Sequence, residues 1–573
     1  MDKELRKLIK DALENLDIEA SESVIVLEHP EDLKNGDYYT NLALAIAKNL
    51  KAKPLELAEK IVTEISRLNV DKKIKKVEVG GPGFINFHLS REFFAGSVEE
   101  IVNQGFNVGK NETLKEKKIM VEYTDPNPFK PFHIGHLMTN AIGESIARIL
   151  EHSGANVSRA NYQGDIGLHV AKAIYGLLQD GGLQNKSVSI AEQSANIGEA
   201  YAIGSDAYEK DAKAKSEIEN INQKIYDKSD EEINKIYDWG FKATMEAFED
   251  LYKLLGTKFD FYFLESKVAQ AGDDLVRTNL GKVFEESDGA IVFKAENYDP
   301  KLHTRVFITS KDLPTYETKE FGLIQEKFTV SPDIYLSIVV TANEQADYMR
   351  VVMKALSMIN PEYAAKTRHI THGMMRLAGG KMSSRKGNVV TGETLVRDTI
   401  ALVKGKIKEN DWSEEDKNKI GEAVGVAAIK YSILRSKAGS DIIYNEEESI
   451  STEGDSGPYL QYSYARANSV LEKAQKENIL PDFDNLPKET FEIEKLLYQF
   501  KEIVLRSAST YEPHHIANYL TALARSFNSF YGNTPIVDGK DKTSSYKIAL
   551  TYAFSFVMKT GLSLLGIKAP QKM

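Results

Sequence analysis

The chain has 573 residues, of which 42% are hydrophobic and 27% are charged, and its net charge is −11. This length exceeds what one hydrophobic core supports and predicts roughly three or four domains. The acidic balance argues against a protein that coats nucleic acid non-specifically, so any nucleic acid must meet local basic patches. The absence of cysteine excludes disulfides, thiolate zinc sites and cysteine nucleophiles.

Membrane and targeting signals are missing from the sequence. It contains no run of about eighteen apolar residues, so no membrane span is expected. The first residues, Met1–Arg6, are charged and do not form the apolar core of a signal peptide. We therefore expect a cytoplasmic location and no membrane partner.

Residues 1–110 predict a separate α+β domain. Asn41–Ala47 begins an amphipathic helix, and a second helix opens at Pro54, where proline is favoured as the first helical residue. Val77–Phe87 predicts a strand, a glycine turn and a second strand. The glycines of that turn lack the GxGxxG spacing, so a dinucleotide site is not expected there.

Residues 113–395 alternate strands and helices, which predicts a doubly wound parallel sheet of Rossmann-like type. A polar helical stretch, roughly 187–255, interrupts the alternation as an insertion. Its mixed charges indicate solvated helix faces, and we assign no chemistry to them. Asp165 follows the second strand at the carboxyl end of the sheet and is a candidate for binding the ribose or the substrate; the alternative is a helix N-cap.

One loop joins the first strand of this region, 118–123, to a helical pattern that starts near Leu137. Its sequence is Asp125-Pro126-Asn127-Pro128-Phe129-Lys130-Pro131-Phe132-His133-Ile134-Gly135-His136. The prolines make the loop rigid, so both histidines come to a helix N-terminus, where free N–H groups and the helix dipole favour phosphate. Gly135 leaves bare backbone for a flat base. The alternative is a turn whose exposed histidines only cap the helix.

A second loop, Gly379–Asn388, is glycine-flanked, basic and rich in hydroxyl groups. A loop of this composition can close over a triphosphate. It is not a Walker A loop, because Met375 stands where that motif needs its first glycine. The alternative is a solvated basic turn.

The C-terminal part of the sequence is helical. Residues 396–450 are mainly helix, and the chain from Pro458 onward is nearly all helix, so 451–573 predicts an all-α bundle. Its aromatic and arginine side chains could stack on and hold single-stranded RNA bases. The alternative is that these aromatics form the core of the bundle.

Together the two loops resemble the paired His-Ile-Gly-His and Lys-Met-Ser-Lys-Ser signatures of class I aminoacyl-tRNA synthetases. Ser384 stands where the second signature often has lysine, and Arg385 and Lys386 can supply that charge. The resemblance implies catalytic roles for Lys130, His133, His136, Lys381 and Lys386. It implies ATP binding by Gly135, Asp165, Ser383 and Ser384.

Tyr316 and Glu320 lie four residues apart, which on a helix places an aromatic ring beside a carboxylate. The alternative is an ordinary exposed helix pair. A cationic substrate needs buried carboxylates and gains from an aromatic face. This pair, the N-terminal glycine hairpin and the C-terminal pattern resemble arginyl-tRNA synthetases over essentially the whole chain. The resemblance implies the following arginine-binding residues: Glu122, Asn127, Glu265, Tyr316, Glu320 and Gln345.

Two departures from that family are visible. The family often has aspartate where Glu320 stands, and the contiguous Asp-Ala-Leu-Arg string of its anticodon-binding domain is absent. The resemblance still implies that ATP, with Mg²⁺, activates L-arginine to arginyl-adenylate. The arginyl group then passes to the 3′-terminal adenosine of tRNA(Arg), and AMP and pyrophosphate are released.

The resemblance also implies the role of each domain. Residues 1–110 form a domain that contacts tRNA, and residues 113–395 form the catalytic domain. Residues 396–450 form a helical connecting region, and residues 451–573 form the anticodon-binding domain. We expect a monomer, with no zinc and no organic cofactor. The open alternatives are a synthetase for another amino acid, a non-enzymatic tRNA-binding relative and a nucleotidylyltransferase, which shares only the histidine loop.

Overall fold

The computed structural model describes residues 1–30, 32–68, 72–179, 188–378, 390–407 and 412–573. The basic loop Gly379–Asn388 lies outside this part of the chain, and with it the predicted site residues Lys381, Ser383, Ser384 and Lys386. The chain divides into two compact units. The first comprises Met1–Val108, Arg466–Lys501 and Ala522–Met558, and the second comprises Gly109–Ala465, Glu502–Thr521 and Lys559–Met573.

The N-terminal part of the first unit is an antiparallel three-stranded sheet packed against helices. Its elements are α1 (Asp2–Asn15), β1 (Tyr38–Thr40), α2 (Leu42–Ala47), α3 (Pro54–Leu68), β2 (Ile74–Gly80), β3 (Phe84–Leu89) and α4 (Arg91–Gln104). The predicted hairpin is formed by β2 and β3. Gly83 adopts φ +132 in its turn, and a Cβ there would lie 3.1 Å from the backbone of Pro54, so the turn requires glycine.

The second unit contains a five-stranded sheet in which every pair is parallel, in the order β11-β10-β4-β5-β6. The strands of this unit are β4 (Lys118–Glu122), β5 (Asn156–Gln163), β6 (Phe261–Leu264), β7 (Glu285–Ser287), β8 (Ala290–Phe293), β9 (Arg305–Ile308), β10 (Leu336–Ala342), β11 (Thr367–His372), β12 (Met375–Leu377) and β13 (Ile442–Tyr444). The predicted parallel sheet is confirmed. Strand order reverses beside β4, and ligands of such sheets bind at the carboxyl ends of the strands next to that point.

Helices lie between these strands along the chain. They are α5 (Ile134–His152), α6 (Leu168–Gln179), α7 (Ile190–Lys210), α8 (Ala212–Asp227), α9 (Glu231–Leu255), α10 (Glu265–Thr278), α11 (Tyr316–Val330), α12 (Ala346–Ile359), α13 (Pro361–Ala365), α14 (Gly392–Lys406), α15 (Glu414–Leu434) and α16 (Glu446–Ser449). The predicted helical insertion corresponds to α7, α8 and α9. A small antiparallel sheet of β7, β8 and β9 was not predicted. Its strands are three or four residues long, too short to show a period in the sequence.

The remaining described chain is helical, as predicted. Its helices are α17 (Gly457–Lys476), α18 (Glu492–Leu497), α19 (Phe500–Thr510), α20 (His514–Asn533) and α21 (Ser544–Leu564). Within the first unit, the fully buried rings of Phe527 and Phe554 stack with centroids 3.9 Å apart. These two aromatic rings therefore belong to the hydrophobic core. The ring of Tyr531, by contrast, is half-exposed and lies 5.1 Å from the guanidinium of Arg466. Within the described ranges, none of the helices combines the length and apolarity of a membrane span.

A buried carboxylate ties α5 to the sheet in the second unit. Glu144 accepts hydrogen bonds from Arg148 Nε at 2.6 Å, from Arg159 Nε at 2.9 Å and from the hydroxyl of Thr257 at 2.9 Å, and also from the Tyr123 hydroxyl. Burial alone would raise the pKa of Glu144, but the two guanidinium groups lower it to about 2. The ionised carboxylate thus fixes the helix whose N-terminus carries the two histidines.

Candidate active site

The loop that follows β4 is held in a strained conformation. Thr124, Asp125 and Phe129 have φ of 81, 47 and 64, in the left-handed region that non-glycine residues rarely adopt. Each such residue costs on the order of 1 kcal/mol and persists only where its surroundings fix it. The Asp125 carboxylate accepts the backbone N–H of Tyr162 at 2.8 Å, and the buried Phe129 ring stacks on Tyr237 with centroids 5.8 Å apart. These contacts preorganise the loop.

The two histidines form a reciprocal cap on α5, so the structure places them where the sequence predicted. Nδ1 of His133, the N-cap residue, accepts the backbone N–H of His136 at 3.4 Å. Nδ1 of His136 accepts the backbone N–H of His133 at 3.2 Å, and the rings stack with centroids 3.4 Å apart. Since each Nδ1 accepts, each neutral ring carries its proton on Nε2. The histidines therefore cap the helix and still keep one donor each.

Burial sets the charge of these rings. Burial, with a contribution from the ammonium of Lys130, lowers the pKa of His133 to about 4 and lowers the pKa of His136 well below its usual range. Both rings are neutral at pH 7. The Lys130 ammonium lies 5.5 Å from the ring centroid of Tyr201 on α7. A Cβ on Gly135 would lie 3.0 Å from Nδ1 and Cε1 of His133, so glycine gives the stacked ring its room.

Acidic side chains gather where β4 ends. Glu122 is buried, and its Oε2 lies 2.6 Å from the buried ammonium of Lys327 on α11. Glu320, also on α11, is buried too, and its Oε1 has no hydrogen-bond partner among the residues that the structure describes. Burial raises the pKa of Glu320 to about 7; the ammonium of Lys327 opposes this rise and the charge of Glu122 adds to it. Burial, together with Glu122, raises the pKa of Asp125 well above its usual range.

A second acidic position lies at the ends of β5 and β6. The backbone N–H of Gly164 donates to Oδ1 of Asn127 at 3.1 Å. A Cβ on Gly164 would lie 2.5 Å from that oxygen and 3.3 Å from Oε2 of Glu265. Glycine at this position therefore lets the Asn127 and Glu265 side chains converge. The buried Glu265 carboxylate is ion-paired with the ammonium of Lys319, which lies 5.4 Å from the ring centroid of Tyr316.

Tyr316 and Glu320 share α11 as predicted, but their exposures differ. Tyr316 is the first residue of the helix and is 72% exposed, whereas Glu320 is 6% exposed. The pair is therefore not an ordinary exposed pair: the ring forms a rim and the carboxyl lies at depth. Lys319 lies between them on the helix. Its ammonium contacts the carboxylate of Glu265 and the ring of Tyr316, the two kinds of group that are expected to bind a substrate cation.

Asp165 does not cap α6, which begins only at Leu168. Its carboxylate accepts the backbone N–H of Ser266 at 2.9 Å and the hydroxyl of Ser266 at 2.6 Å, and also the hydroxyl of Tyr237 at 3.3 Å. Asp165 thus holds the first turn of α10. Gln345 lies exposed in the short turn after β10, and its Oε1 accepts the Tyr348 hydroxyl at 3.4 Å.

Several site residues escaped the sequence analysis. The Tyr162 hydroxyl is buried without a hydrogen-bond partner in the described ranges. Burial raises the pKa of Tyr162, and the charges of Glu265, Glu320 and Glu122 raise it further. The sequence feature that could have identified Tyr162 is its position near the carboxyl end of β5, where ligands of a parallel sheet bind. Lys319 and Lys327 gave no sequence signal, because their partners lie on other elements.

The insertion also reaches the site, although we assigned no chemistry to it. Partial burial raises the pKa of Tyr226 on α8 to about 12, and the nearby charges of Glu265 and Asp165 contribute. Tyr237 on α9 hydrogen-bonds to Asp165, and Tyr201 on α7 lies beside Lys130. The insertion therefore contributes tyrosines next to the acidic and histidine-bearing residues.

Family profiles match the chain in three segments. The profile of "tRNA synthetases class I (R), catalytic domain" matches residues 97–446, and "Arginyl tRNA synthetase N terminal domain" matches 3–89. The "DALR anticodon binding domain" matches 460–573, although the contiguous string of that name is absent. The parallel sheet with capped histidines at its carboxyl edge and these matches define a class I aminoacyl-tRNA synthetase.

Similarity to individual relatives indicates which family within this class the chain resembles. The arginine–tRNA ligase of Halothermothrix orenii is 31% identical over 572 residues, which cover 99% of this chain and 98% of the relative. That of Borrelia hermsii is 30% identical over 585 residues, covering 99% and 98%. The chain belongs to the arginyl-tRNA synthetase family.

Solved structures share the fold. The Thermus thermophilus arginyl-tRNA synthetase has a TM-score of 0.82 at 24% identity, with 100% of both chains covered. The enzyme of Plasmodium falciparum has a TM-score of 0.80 at 20% identity, with 100% of this chain and 99% of that chain covered.

The raised pKa of Glu320 predicts a pH-dependent stability cost. Since the folded state holds this proton up to about pH 7 and the unfolded state releases it near its ordinary pKa of 4.5, stability falls as pH rises through that window. We expect Glu320→Gln to stabilise the chain at pH 8 by about 2–3 kcal/mol and to change little at pH 5. Thermal midpoints of both proteins at the two pH values measure this. An equal difference at both would contradict it.

Proposed function

We propose that the chain is an arginine–tRNA ligase that uses ATP, with Mg²⁺, to convert L-arginine to arginyl-adenylate. It then transfers the arginyl group to the 3′-terminal adenosine of tRNA(Arg) and releases AMP and pyrophosphate. One observation carries the choice of substrate. Glu122 and Glu265 each pair with one lysine, whereas the buried carboxyl of Glu320 forms no ion pair in the described part of the chain and keeps one oxygen open. A cationic substrate would supply the missing partner.

The histidine loop supports the assignment of ATP. The phosphates would meet the free N–H groups of the first turn of α5, the Nε2–H groups of His133 and His136, and the ammonium of Lys130. Neutral donors of this kind can follow charge as it develops on a phosphate oxygen. We assign the adenine to the backbone at Gly135. Asp165 has one acceptor position left on its carboxylate, which suits a ribose hydroxyl.

The basic loop completes this part of the proposal. We assign to Lys381, Ser383, Ser384 and Lys386 the closing of the site over the β- and γ-phosphates, together with Mg²⁺. Their sequence and the family membership of the chain support this role. The arginine carboxylate would attack the α-phosphate in line, so catalysis consists of positioning and charge stabilisation.

The acidic pocket supports the assignment of arginine. A guanidinium has five N–H donors in a plane, and Glu320 offers an open carboxyl oxygen at depth. The Tyr162 hydroxyl is a further open partner, and the Tyr316 ring supplies an aromatic face at the rim. Glu265 would either release the ammonium of Lys319 and pair with the guanidinium, or pair with both cations. We assign the α-amino and carboxylate groups to Glu122, Asn127 and Gln345.

Rejection of lysine follows from the same groups. A single ammonium has three donors at one point and leaves acceptors of a planar site unpaired. Mismatches of this kind can reach roughly 10⁴-fold discrimination. The site thus distinguishes two substrates of equal charge by the shape of their hydrogen-bond donors.

The division of the chain follows the profile matches. We assign contact with tRNA to residues 1–110, catalysis to 113–395, connection to 396–450 and anticodon binding to 451–573, in line with the profiles matched at 3–89, 97–446 and 460–573. The monomeric state, the cytoplasmic location and the absence of zinc and organic cofactors stay predictions of the sequence.

An exchange assay tests the proposed reaction. With tRNA present, ATP–pyrophosphate exchange is measured with each standard amino acid in turn. We expect arginine alone to support exchange. Exchange with a different amino acid would replace the arginine assignment, and no exchange with any of them would leave only the reading as a non-enzymatic tRNA-binding relative.

Changes in the acidic pocket should separate the two small substrates. We expect Tyr316→Ala and Glu320→Ala to raise the arginine KM at least tenfold and to change the ATP KM less than twofold, because they remove contacts to the guanidinium alone. Tyr335→Ala is the matched control, since its half-exposed ring packs on Lys117 instead. Equal effects on both KM values would remove Tyr316 and Glu320 from the pocket.

A substitution at His133 should separate capping from catalysis. Asparagine caps helices well, so His133→Asn keeps an acceptor for the backbone N–H of His136 but loses the Nε2–H donor. We expect the thermal midpoint to stay within a few degrees while the exchange rate falls about 100-fold or more. A variant that is both stable and fully active would show that the ring serves only as a cap.

A further inference from the structure

A cluster of potential metal ligands lies far along the chain from the active-site loop, where the turn after α19 leads into the first two residues of α20. Glu512, His514 and His515 each bring one ligand atom within 4.8 Å of the other two. Oε2 of Glu512 lies 3.2 Å from Nε2 of His515 and 4.0 Å from Nδ1 of His514. The active site uses none of these side chains.

The local sequence fixes this turn. Tyr511 adopts φ +59, which ends the run of α19, and Pro513 stands directly before the first residue of α20. The backbone N–H of Glu512 donates to the carbonyl of Ser507 at 3.2 Å. The backbone N–H of His515 donates to the carbonyl of Glu512 at 3.4 Å. These constraints hold the three side chains on one tight turn.

The two imidazoles are prepared to act as ligands. Both side chains are largely buried, with 14% of His514 and 13% of His515 exposed. Nδ1 of His514 is buried and has no hydrogen-bond partner in the part of the chain that the structure describes. A buried ring nitrogen without a protein partner is open to a ligand.

We propose that Glu512, His514 and His515 form a binding site for a divalent transition metal ion, with zinc the best match. This site departs from the expectation, drawn from the sequence, that the protein holds no zinc. Two imidazole nitrogens and one carboxylate oxygen form a common zinc ligand set, whereas Mg²⁺ and Ca²⁺ prefer oxygen alone. Bonds of about 2.0–2.1 Å in a tetrahedron place ligand atoms about 3.4 Å apart. The separations of 3.2 and 4.0 Å from Oε2 of Glu512 lie near this value, and the ligand atoms of the two imidazoles lie within 4.8 Å of each other. Water would take the fourth position.

Two neighbouring positive charges, the guanidinium of Arg506 on α19 and the ammonium of Lys437, oppose the ion. The ammonium of Lys437 lies 3.7 Å from Oε1 of Glu512, the oxygen that does not face the imidazoles, and its side chain is 67% exposed. Repulsion between two cations weakens metal binding, although solvent screens much of it. The bound ion would cross-link the turn between α19 and α20 and thereby stabilise the start of α20.

Titration with Co²⁺ tests the site, because four-coordinate cobalt absorbs strongly in the visible range. The full-length chain, free of any affinity tag and stripped of metal with a chelator, is titrated with Co²⁺ and then with Zn²⁺. We expect one equivalent of Co²⁺ to give the visible band, and Zn²⁺ to displace it and raise the thermal midpoint. Glu512→Gln and His515→Asn should each weaken Co²⁺ binding by tenfold or more.

Two further variants provide a control for the titration and a test of the neighbouring charge. His88→Asn is the matched control, since His88 also pairs with a carboxylate, that of Glu78 at 2.6 Å, but belongs to no described three-ligand cluster. It should leave the band unchanged. Lys437→Met changes an exposed side chain and should tighten Co²⁺ binding roughly threefold. Absence of the band in the unaltered chain, or a band that survives His515→Asn and ignores Lys437→Met, would overturn the proposal.

Discussion

Buried carboxyl groups must be balanced by positive charge, and the site at the carboxyl edge of the sheet depends on this constraint. Lys327 balances Glu122 at 2.6 Å, and Lys319, the other lysine of α11, pairs with Glu265. Neither ammonium is therefore paired with Glu320. The unmatched group responds by holding its proton up to about pH 7. A carboxyl group in this state can release its proton when a cation approaches, because a nearby positive charge lowers its pKa.

The reciprocal cap of α5 shows how one side chain serves two purposes. Each imidazole has two nitrogens, and the protein uses Nδ1 of His133 and of His136 for its own backbone. The opposite nitrogen is left as a donor whose direction is set by the stacked rings. The ion network of Glu144 then holds the same helix against the sheet. Rigidity at the helix start is thus a property of the fold before any ligand arrives.

Much of this arrangement could be predicted from the sequence, because the signals are local. Prolines and apolar periods located β4, the histidine loop and α5, and glycine spacing located the hairpin of β2 and β3. The small sheet of β7, β8 and β9 could not be predicted, since strands of three or four residues carry no readable period. The ion pairs of Lys319 and Lys327 could not be predicted from the sequence either, because they depend on how α11 packs beside the ends of β4 and β6.

The three helices inserted between β5 and β6 leave the parallel sheet uninterrupted, yet they carry tyrosines up to the residues around the pocket. Connections at this edge of a sheet tolerate changes in length far better than the strands do. The sheet therefore positions the acidic and histidine-bearing residues, whereas the inserted helices beside them can vary more freely. A compound that binds at the strand ends and extends toward the inserted helices would meet this more variable surface, and selectivity between related proteins would be easiest to build there.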